Sequence, residues 1–186
     1  MADAGLMTAR LLLRPWKDED RPAYAAMNQD PEVMRFFPAL QSRETSDRAI
    51  DGWNAALRTK GWSNWAVEIR DTGQFIGFIG LTVPQRVLPF SPCVELGYRL
   101  CRDSWGHGHA TEGAIAALRF GFEQVGLAEV VSFTAKLNLP SQAVMRRAGL
   151  HDTGQDFDHP AVPEAHPLRP HCLYRARRDA WRPHPA

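Results

Sequence analysis

The sequence lacks the features that mark disulfide-rich, membrane-spanning and nucleic-acid-binding proteins. It contains 3 cysteines among 186 residues, an odd number at wide spacing that does not suit a disulfide framework. No apolar run approaches the roughly 20 residues that a membrane-spanning helix needs, and residues 1–7 lack the basic and apolar segments of a signal peptide. The formal net charge is only +1, so no strong field favours nucleic acid or a membrane surface. We therefore expect a cytoplasmic protein with neither partner, either a monomer or a homodimer.

The composition that remains is that of an ordinary globular protein. Hydrophobic residues make up 44% and charged residues 23% of the chain, both typical values. A chain of 186 residues is long enough to bury one core, and we find neither an internal repeat nor a dividing linker. We expect a single domain over residues 1–186, with a core at 8–181 and short flexible termini.

Hydrophobic periodicity predicts the secondary structure. Strands are predicted over residues 11–13, 65–70, 75–83, 94–101, 129–137, 150–157 and 172–177. Helices are predicted from an Asp18 cap through Met27, from Pro31 to Phe36, between a Ser42 cap and a Gly61 stop, over 111–125, and from Pro140 to Ala148. Antiparallel strands segregated from a few packed helices favour the α+β class.

The most informative stretch is the strand and glycine turn between Gly97 and Gly113. Gly106 and Gly108 interrupt the strand pattern, and helical spacing follows them. Such a turn leaves backbone N–H groups unpaired at the positive end of a helix, where they can bind phosphate. No Lys-Ser/Thr pair completes a Walker pattern, and Gly113 comes one residue too late for the dinucleotide pattern. A connection whose glycines serve only for turning is the alternative.

Five segments, taken in order, carry a family resemblance: Thr8–Trp16, Glu95–Tyr98, Trp105–Glu112, Asn138 to Leu150 with Ser141 and Gly149, and His171–Arg175. Together they resemble the GNAT superfamily of acetyl-CoA-dependent N-acetyltransferases, and most closely its ribosomal-protein-alanine (RimJ/RimL-like) branch. The resemblance implies a mixed, mostly antiparallel central sheet flanked by helices and splayed between the fourth and fifth strands, here 94–101 and 129–137.

The resemblance also implies a site for acetyl-CoA as co-substrate. The pyrophosphate would be held by backbone N–H groups of Trp105, Gly106, His107, Gly108, His109, Ala110 and Thr111. The backbone of Tyr98, Arg99 and Leu100 would pair with the pantetheine arm like an added strand. Asn138 would hydrogen-bond that arm, or would instead cap the helix that follows it.

Acetyl transfer to an amine needs a base, an oxyanion donor and a proton for the departing thiolate. Glu95 is the candidate base, because some members of the superfamily use a Glu at the matching strand position; a solvated or Arg99-paired carboxylate is the alternative. A backbone N–H at Tyr98 would stabilise the oxyanion. Ser141 is the candidate proton donor, or else a first-turn residue that bonds the backbone.

Three positions depart from the family pattern or suggest other chemistry. Asp103 stands where Gln or Arg is preferred, so we expect it to point away from the pyrophosphate or to cap the turn. Met145 excludes the tyrosine acid of other branches. Histidines such as His107 and His159 fit no zinc spacing, so no metal is expected, and His159 is either a surface residue or part of the acceptor pocket.

These residues together predict an N-acetyltransferase that acts by direct attack in a ternary complex. The acceptor is a primary amine, on either a protein N-terminus or a small molecule. A non-catalytic acyl-CoA-binding or regulatory module is the alternative that the departures leave open.

Overall fold

The computed structural model describes residues 5–183. Within that range the elements are, in chain order, β1 (Leu6–Met7), β2 (Leu11–Arg14), α1 (Asp20–Gln29), α2 (Arg43–Lys60), β3 (Asn64–Ile69), β4 (Phe75–Thr82), β5 (Glu95–Leu100), α3 (His109–Glu123), β6 (Glu129–Ala135), α4 (Leu139–Arg147), β7 (His151–Asp152), β8 (Phe157–Asp158) and β9 (Pro170–Arg177). A single 3-10 turn at Arg102–Ser104 lies between β5 and α3. No helix among these residues is long and apolar enough to cross a membrane.

The strands form one sheet in the order β1-β2-β3-β4-β5-β6-β9-β7, and β8 also pairs with β9. Every neighbouring pair is antiparallel except β5 and β6, which are parallel. Their ladder contains a single registered pair, Glu95 with Val131. The α+β class and the mixed, mostly antiparallel sheet are confirmed.

Strand β4 lies at the centre of the core and is covered on both faces. The ring of Phe78 lies 6.1 Å from the ring of Tyr24 in α1, whereas a side chain at Gly113 of α3 would collide with Ile79. Adjacent strand residues point to opposite faces, so α1 and α3 cover opposite sides of β4. This explains why β4 has no polar face, as its continuous apolar sequence predicts.

Helix α2 has the predicted ends. The Ser42 hydroxyl accepts a hydrogen bond from the Thr45 N–H at 3.1 Å, which satisfies one of the unpaired donors of the first turn. Gly61 ends the helix with a φ of 80°, a conformation that glycine adopts without strain.

Three predicted elements differ from the structure. Helix α1 has Glu19 at its N-cap without a side-chain bond, because the Asp18 carboxylate pairs instead with Arg21 at 2.9 Å. The predicted helix from Pro31 to Phe36 is a series of hydrogen-bonded turns. The predicted strand over 150–157 is divided into β7 and β8 by a bend at Gly154, where φ is 65°.

Candidate active site

The sheet opens where β5 and β6 diverge. Val131 N–H donates to the Val94 carbonyl at 2.9 Å, and beyond the Glu95–Val131 pair the Ser132 hydroxyl donates to the Leu96 carbonyl at 2.9 Å. Backbone groups of alternate strand residues point to the same side. The N–H and C=O of Tyr98 therefore face the gap, and no described residue is bonded to them.

The neighbours of Tyr98 are less open. The Cys101 N–H donates to Ile76 of β4 at 2.8 Å, so the backbone of Arg99, two residues earlier, also faces β4. The Leu100 carbonyl accepts a hydrogen bond from the Trp105 indole at 2.9 Å. Of the three residues predicted to pair with a pantetheine arm, Tyr98 offers both backbone groups, Leu100 offers its N–H, and Arg99 offers only its side chain.

The glycine turn leads directly into α3. Gly106 and Gly108 have φ values of 78° and 80°, which any residue with a Cβ adopts only with strain. The Trp105 N–H is bonded to the Arg102 carbonyl, and the first helical bond runs from Glu112 N–H to Gly108. The N–H groups from Gly106 to Thr111 thus have no backbone acceptor among the described residues, and the helix end adds partial positive charge beside them.

Arg10, in the bend that precedes β2, braces this turn although it is far away in the sequence. Its Nε donates to the Glu112 carboxylate at 2.6 Å and its Nη1 donates to the His107 carbonyl at 2.8 Å. The same carboxylate accepts the Thr8 hydroxyl at 2.6 Å. The hydrogen bonds outweigh the effect of burial and hold the pKa of Glu112 below its usual value. The brace fixes both the turn and the start of α3.

The polar side chains of the turn take different directions. Asp103 is exposed and is not among the residues that line the cleft, which agrees with the expectation that it points away. His107 is also exposed and outside the cleft, whereas His109 lines it. Burial, followed by the nearby charge of Arg10, lowers the pKa of His109, so its ring is neutral near pH 7.

Tyr98 and Ser141 connect β5 to the first turn of α4. The Tyr98 hydroxyl lies 2.9 Å from the Ser141 hydroxyl and 2.9 Å from the Ser141 carbonyl. Asn138 caps α4, because its Oδ1 accepts the Ser141 N–H at 3.3 Å, and its Nδ2 donates to Thr134 at 2.9 Å. Asn138 is therefore a helix cap whose amide also borders the cleft.

Glu95 lies at the start of β5, where the strands part. Its carboxyl group has no hydrogen bond or ion pair with any residue of the described range, and burial raises its pKa to about 7. The Arg99-paired alternative for Glu95 does not occur in this structure, since Arg99 bonds to Asn28. A carboxyl group with this pKa can accept and release a proton near neutral pH.

Glu95, Tyr98, Asn138, Ser141 and the glycine turn apart from His107 border one cleft of about 1200 Å³. Glu95 and Tyr98 are three residues apart on β5, so their side chains point to opposite faces of the sheet. The candidate base therefore approaches the gap from the α1 side, and the Tyr98–Ser141 pair approaches it from the α4 side.

Aromatic side chains form the far wall of the cleft. The His159 and His171 rings lie 4.7 Å apart, and Phe133 packs beside both. Burial lowers the pKa of His159 to about 4, with further contributions from His171 and Arg86. His159 is half-buried and lines the cleft, so it does not lie on an open surface. Within residues 5–183 no group of three or more His, Cys, Asp or Glu could hold a metal ion.

Comparison with known proteins identifies the family to which this architecture belongs. Residues 10–151 match the family model described as the acetyltransferase (GNAT) domain. The chain belongs to the GNAT acetyltransferase family. GNAT acetyltransferases use acetyl-CoA, and the chain is accordingly an acetyl-CoA-dependent acyltransferase.

Curated GNAT relatives align over most of the chain. The Aspergillus fumigatus protein named FsC-acetyl coenzyme A-N(2)-transacetylase is 34% identical over 188 residues, which cover 97% of this chain and 79% of that protein. YoaA of Bacillus subtilis strain 168, named an uncharacterized N-acetyltransferase, is 28% identical over 80% of this chain and 84% of its own length.

Solved GNAT structures share the fold. An acetyltransferase from Agrobacterium tumefaciens strain C58 superposes with a TM-score of 0.74 at 27% identity, covering 95% of this chain and 96% of that one. RimL, a ribosomal L7/L12 alpha-N-protein acetyltransferase in complex with coenzyme A, superposes with a TM-score of 0.75 at 15% identity, covering 95% and 99%. The predicted resemblance to the GNAT superfamily is confirmed, and a ribosomal-protein acetyltransferase shares its fold.

The GNAT cofactor suits the residues present. An added Cβ at Gly106 would enter open space, so the surface there is bare backbone with unpaired N–H groups, as a pyrophosphate requires. The unbonded Tyr98 edge provides the donor and acceptor of a strand without a partner, which an extended amide-containing arm can use.

Two GNAT site features escaped the sequence analysis. The Arg10–Glu112 brace joins residues that are 102 positions apart, and no local pattern marks such a pair. Arg99 was expected to act through its backbone, but its guanidinium borders the cleft. Strand alternation places Glu95 and Arg99 on the same face of β5. That alternation was the sequence signal that could have predicted an Arg99 side chain in the cleft.

Proposed function

We propose that the chain acetylates a primary amine by direct attack of the amine on acetyl-CoA within a ternary complex. The observation that carries this proposal is the unpaired Glu95 carboxyl, which borders the cleft beside the open backbone of Tyr98. Glu95 and Tyr98 are three residues apart on β5, and both border the same cleft. Amine and thioester can therefore be bound together, with no covalent enzyme intermediate.

On the cofactor side, the backbone N–H groups from Gly106 to Thr111 would hold the pyrophosphate. The Trp105 N–H, included in the prediction, is already bonded to Arg102, so Trp105 would contribute its ring. Tyr98 and Leu100 would pair with the pantetheine arm. Asn138 would contact that arm through the amide proton and the oxygen lone pair that its capping bonds leave free.

On the acceptor side, Glu95 would remove the proton that makes the amine unreactive. An alkyl ammonium has a pKa of about 10, and an N-terminal ammonium one of about 8. A carboxylate whose pKa is about 7 takes that proton more readily than a solvated glutamate does, because the difference in proton affinity is smaller. The absence of an ion pair at Glu95 leaves its oxygens available to the amine or to a bridging water.

Acetyl-CoA supplies the acetyl thioester. The Tyr98 N–H would donate to the thioester oxygen as that oxygen gains negative charge. As the C–N bond forms and the C–S bond breaks, Glu95 would take one proton from the amine and the Ser141 hydroxyl, hydrogen-bonded to Tyr98, would give its proton to the departing sulfur. Ser141 would then regain a proton from solvent, to which Glu95 returns the proton that it took. Atoms balance, because the acetyl group and one proton change places between amine and thiol.

The names of the relatives suggest which acceptors to test. The Aspergillus relative is named for transfer to an N(2) nitrogen, and RimL is named as an alpha-N-protein acetyltransferase. Both small-molecule amines and free peptide N-termini therefore belong in the panel.

The test measures thiol release from acetyl-CoA across this panel, together with the melting temperature in the presence of acetyl-CoA, ATP or NAD. We expect acetyl-CoA, but not ATP or NAD, to raise the melting temperature. With at least one amine, thiol should be released from acetyl-CoA in the same amount as acetylated amine is formed. Stabilisation by acetyl-CoA without turnover of any amine would favour the non-catalytic module. No response to acetyl-CoA would overturn both.

A further inference from the structure

Arg99 is a cation without an anionic partner. Its guanidinium borders the cleft, yet among residues 5–183 it forms no ion pair. Its Nη1 donates to the neutral amide oxygen of Asn28 at 2.5 Å, and its Nε is enclosed without any hydrogen-bond partner. Burial also lowers the pKa of Arg99, in keeping with the absence of a carboxylate beside it. An arginine held in this way is costly unless something else neutralises it.

Neutral groups hold the side chain in place. The guanidinium carbon lies 4.1 Å from the centre of the Phe37 ring and 5.6 Å from that of Phe78. Asn28 is fully buried and donates to Ser46 at 2.8 Å, so the acceptor of the Arg99 bond is itself fixed. The guanidinium is therefore positioned before any ligand arrives, which reduces the entropy lost on binding.

The location of Arg99 is on the acceptor side. It shares its face of β5 with Glu95, the face covered by α1 and the turns that follow it, whereas the Tyr98–Ser141 pair lies on the other face. Glu95 and Arg99 are four positions apart on β5, which corresponds to about 13 Å between their Cα atoms. Both side chains reach into the cleft from that strand. A ligand in contact with both would therefore present its amine at one end and an anionic group at the other.

The other charges of the cleft leave Arg99 free for a ligand. The charged residues that line it are Glu32, Arg35, Arg86, Glu95, Arg99 and Arg147. Glu32 pairs with Arg35 at 3.6 Å, and Glu95 is needed for the amine. The cleft therefore has excess positive charge and no carboxylate to spare for Arg99.

We propose that Arg99 binds a carboxylate of the acceptor, so that the preferred substrate is a small amine of the amino-acid type. The inference rests on the proposed function, since it assumes that the cleft binds an amine at Glu95. Arginine suits this role because its planar fork of N–H donors matches the geometry of a carboxylate.

The experiment compares carboxylates with matched amides. Amino acids of increasing length, from glycine to aminohexanoate, are assayed for acetylation beside their primary amides and beside peptides with free N-termini. We expect kcat/KM for the favoured carboxylate to exceed that of its amide about tenfold or more, as a charge-assisted hydrogen bond implies. Arg99→Gln should bring that ratio close to one, and Arg99→Lys should retain part of it.

Two controls separate recognition from structure. Arg48→Gln removes an exposed arginine of α2 and should leave the ratio unchanged. Arg99 lies on the acceptor side and bonds to Asn28 rather than to the glycine turn, so the rise in melting temperature with acetyl-CoA should persist in Arg99→Gln. A loss of that rise would mean that Arg99 serves the cofactor, and would overturn the proposal.

Other outcomes also decide it. Equal use of carboxylates, amides and plain alkylamines would refute the role of Arg99, and so would a preference for peptides. Either result would leave the proposed acetyltransferase function intact. If no compound is acetylated, the melting temperature of the coenzyme A complex is measured with each carboxylate. Carboxylate binding is supported if a carboxylate raises this melting temperature in the wild type but not in Arg99→Gln. It is refuted if no carboxylate does so.

Discussion

The hydroxyl groups of Tyr98 and Ser141 lie 2.9 Å apart across the open side of the sheet. The Tyr98 hydroxyl is equally close to the Ser141 carbonyl, and a phenol has one proton to give. When Tyr98 donates to that carbonyl, the Ser141 proton points to the Tyr98 oxygen. Burial raises the pKa of Tyr98 well above its usual value, so the pair keeps its protons until a stronger base, such as a departing thiolate, is present.

This pairing predicts unequal effects of removing the two hydroxyl groups. Ser141→Ala should lower kcat about 10²-fold, the size of general acid catalysis, with little change in the KM for acetyl-CoA. Tyr98→Phe should have a smaller effect, because Ser141 keeps a proton of its own. Steady-state thiol release with a saturating amine measures both.

A matched control is Ser42→Ala, which removes a hydroxyl from the start of α2. It should lower the melting temperature and leave kcat unchanged. If Tyr98→Phe reduced kcat more than Ser141→Ala, the tyrosine would be the proton donor. Full activity in both variants would exclude the pair from the chemistry.

Glu95 predicts the pH dependence of the reaction. Burial raises its pKa to about 7, and the base acts only when ionised. Ionisation of Glu95 should therefore make kcat/KM rise with pH up to a bend in the profile near pH 7. Above that pH, Glu95 should contribute no further increase. Glu95→Gln should lose about 10²-fold or more in kcat at pH 8 and should lack the bend.

The stability of the same variant provides an independent check of the Glu95 pKa. A carboxyl whose folded pKa exceeds its unfolded value destabilises the fold above that range, because the ionised form is poorly solvated in the protein. Glu95→Gln should therefore melt above the wild type at pH 8, and the difference should shrink towards pH 4. A Glu95→Gln protein that melts below the wild type at pH 8 would show that the carboxylate is stabilised by a partner.

Much of the fold could be predicted because its signals are local. Ser42 and Gly61 mark the ends of α2, and each acts on backbone groups within one turn of itself. The continuous apolar sequence of β4 indicates burial on both faces. Reliance on local signals also explains why the helix predicted from Pro31 to Phe36 was wrong. A short segment with one start signal can satisfy its backbone hydrogen bonds by turns alone.

The candidate site was predictable only where residues act through backbone or through strand alternation. The glycine turn and Glu95 belong to that class. The Tyr98–Ser141 pair, separated by 43 residues, depends on how α4 packs against the divided sheet. Arg99 is unpaired because the tertiary structure brings no carboxylate within reach of it. No sequence pattern marks such an absence.

The glycine turn can be tested with a pair of substitutions that share the same backbone strain. Gly106 and Gly61 have φ values of 78° and 80°, and neither would place a Cβ within 4 Å of another atom. Alanine at either position should cost about 1 kcal/mol or more of stability. Only Gly106→Ala should also raise the KM for acetyl-CoA, because its Cβ covers the N–H groups of the turn. Equal KM values in the two variants would place the pyrophosphate elsewhere.

The brace at Glu112 should couple acid stability to cofactor affinity. Its carboxylate accepts hydrogen bonds from Thr8 and from both the backbone and side chain of Arg10, which hold its pKa below the usual value despite burial. A depressed carboxyl pKa stabilises the fold above the unfolded pKa of about 4.3 and ceases to do so as pH falls through the folded value. Glu112→Gln should therefore cost about 1 kcal/mol at pH 7, and the difference from wild type should vanish in strong acid.

The same substitution should raise the KM for acetyl-CoA, because Arg10 also holds the His107 carbonyl at 2.8 Å and thereby shapes the turn. Glu44→Gln, which removes the exposed partner of Arg48 on α2, is the matched control and should change neither quantity beyond a few tenths of a kcal/mol. Thermal melts from pH 3 to pH 8 and titrations with acetyl-CoA provide the two readouts. A loss of stability without a change in KM would limit the brace to holding β2 against α3.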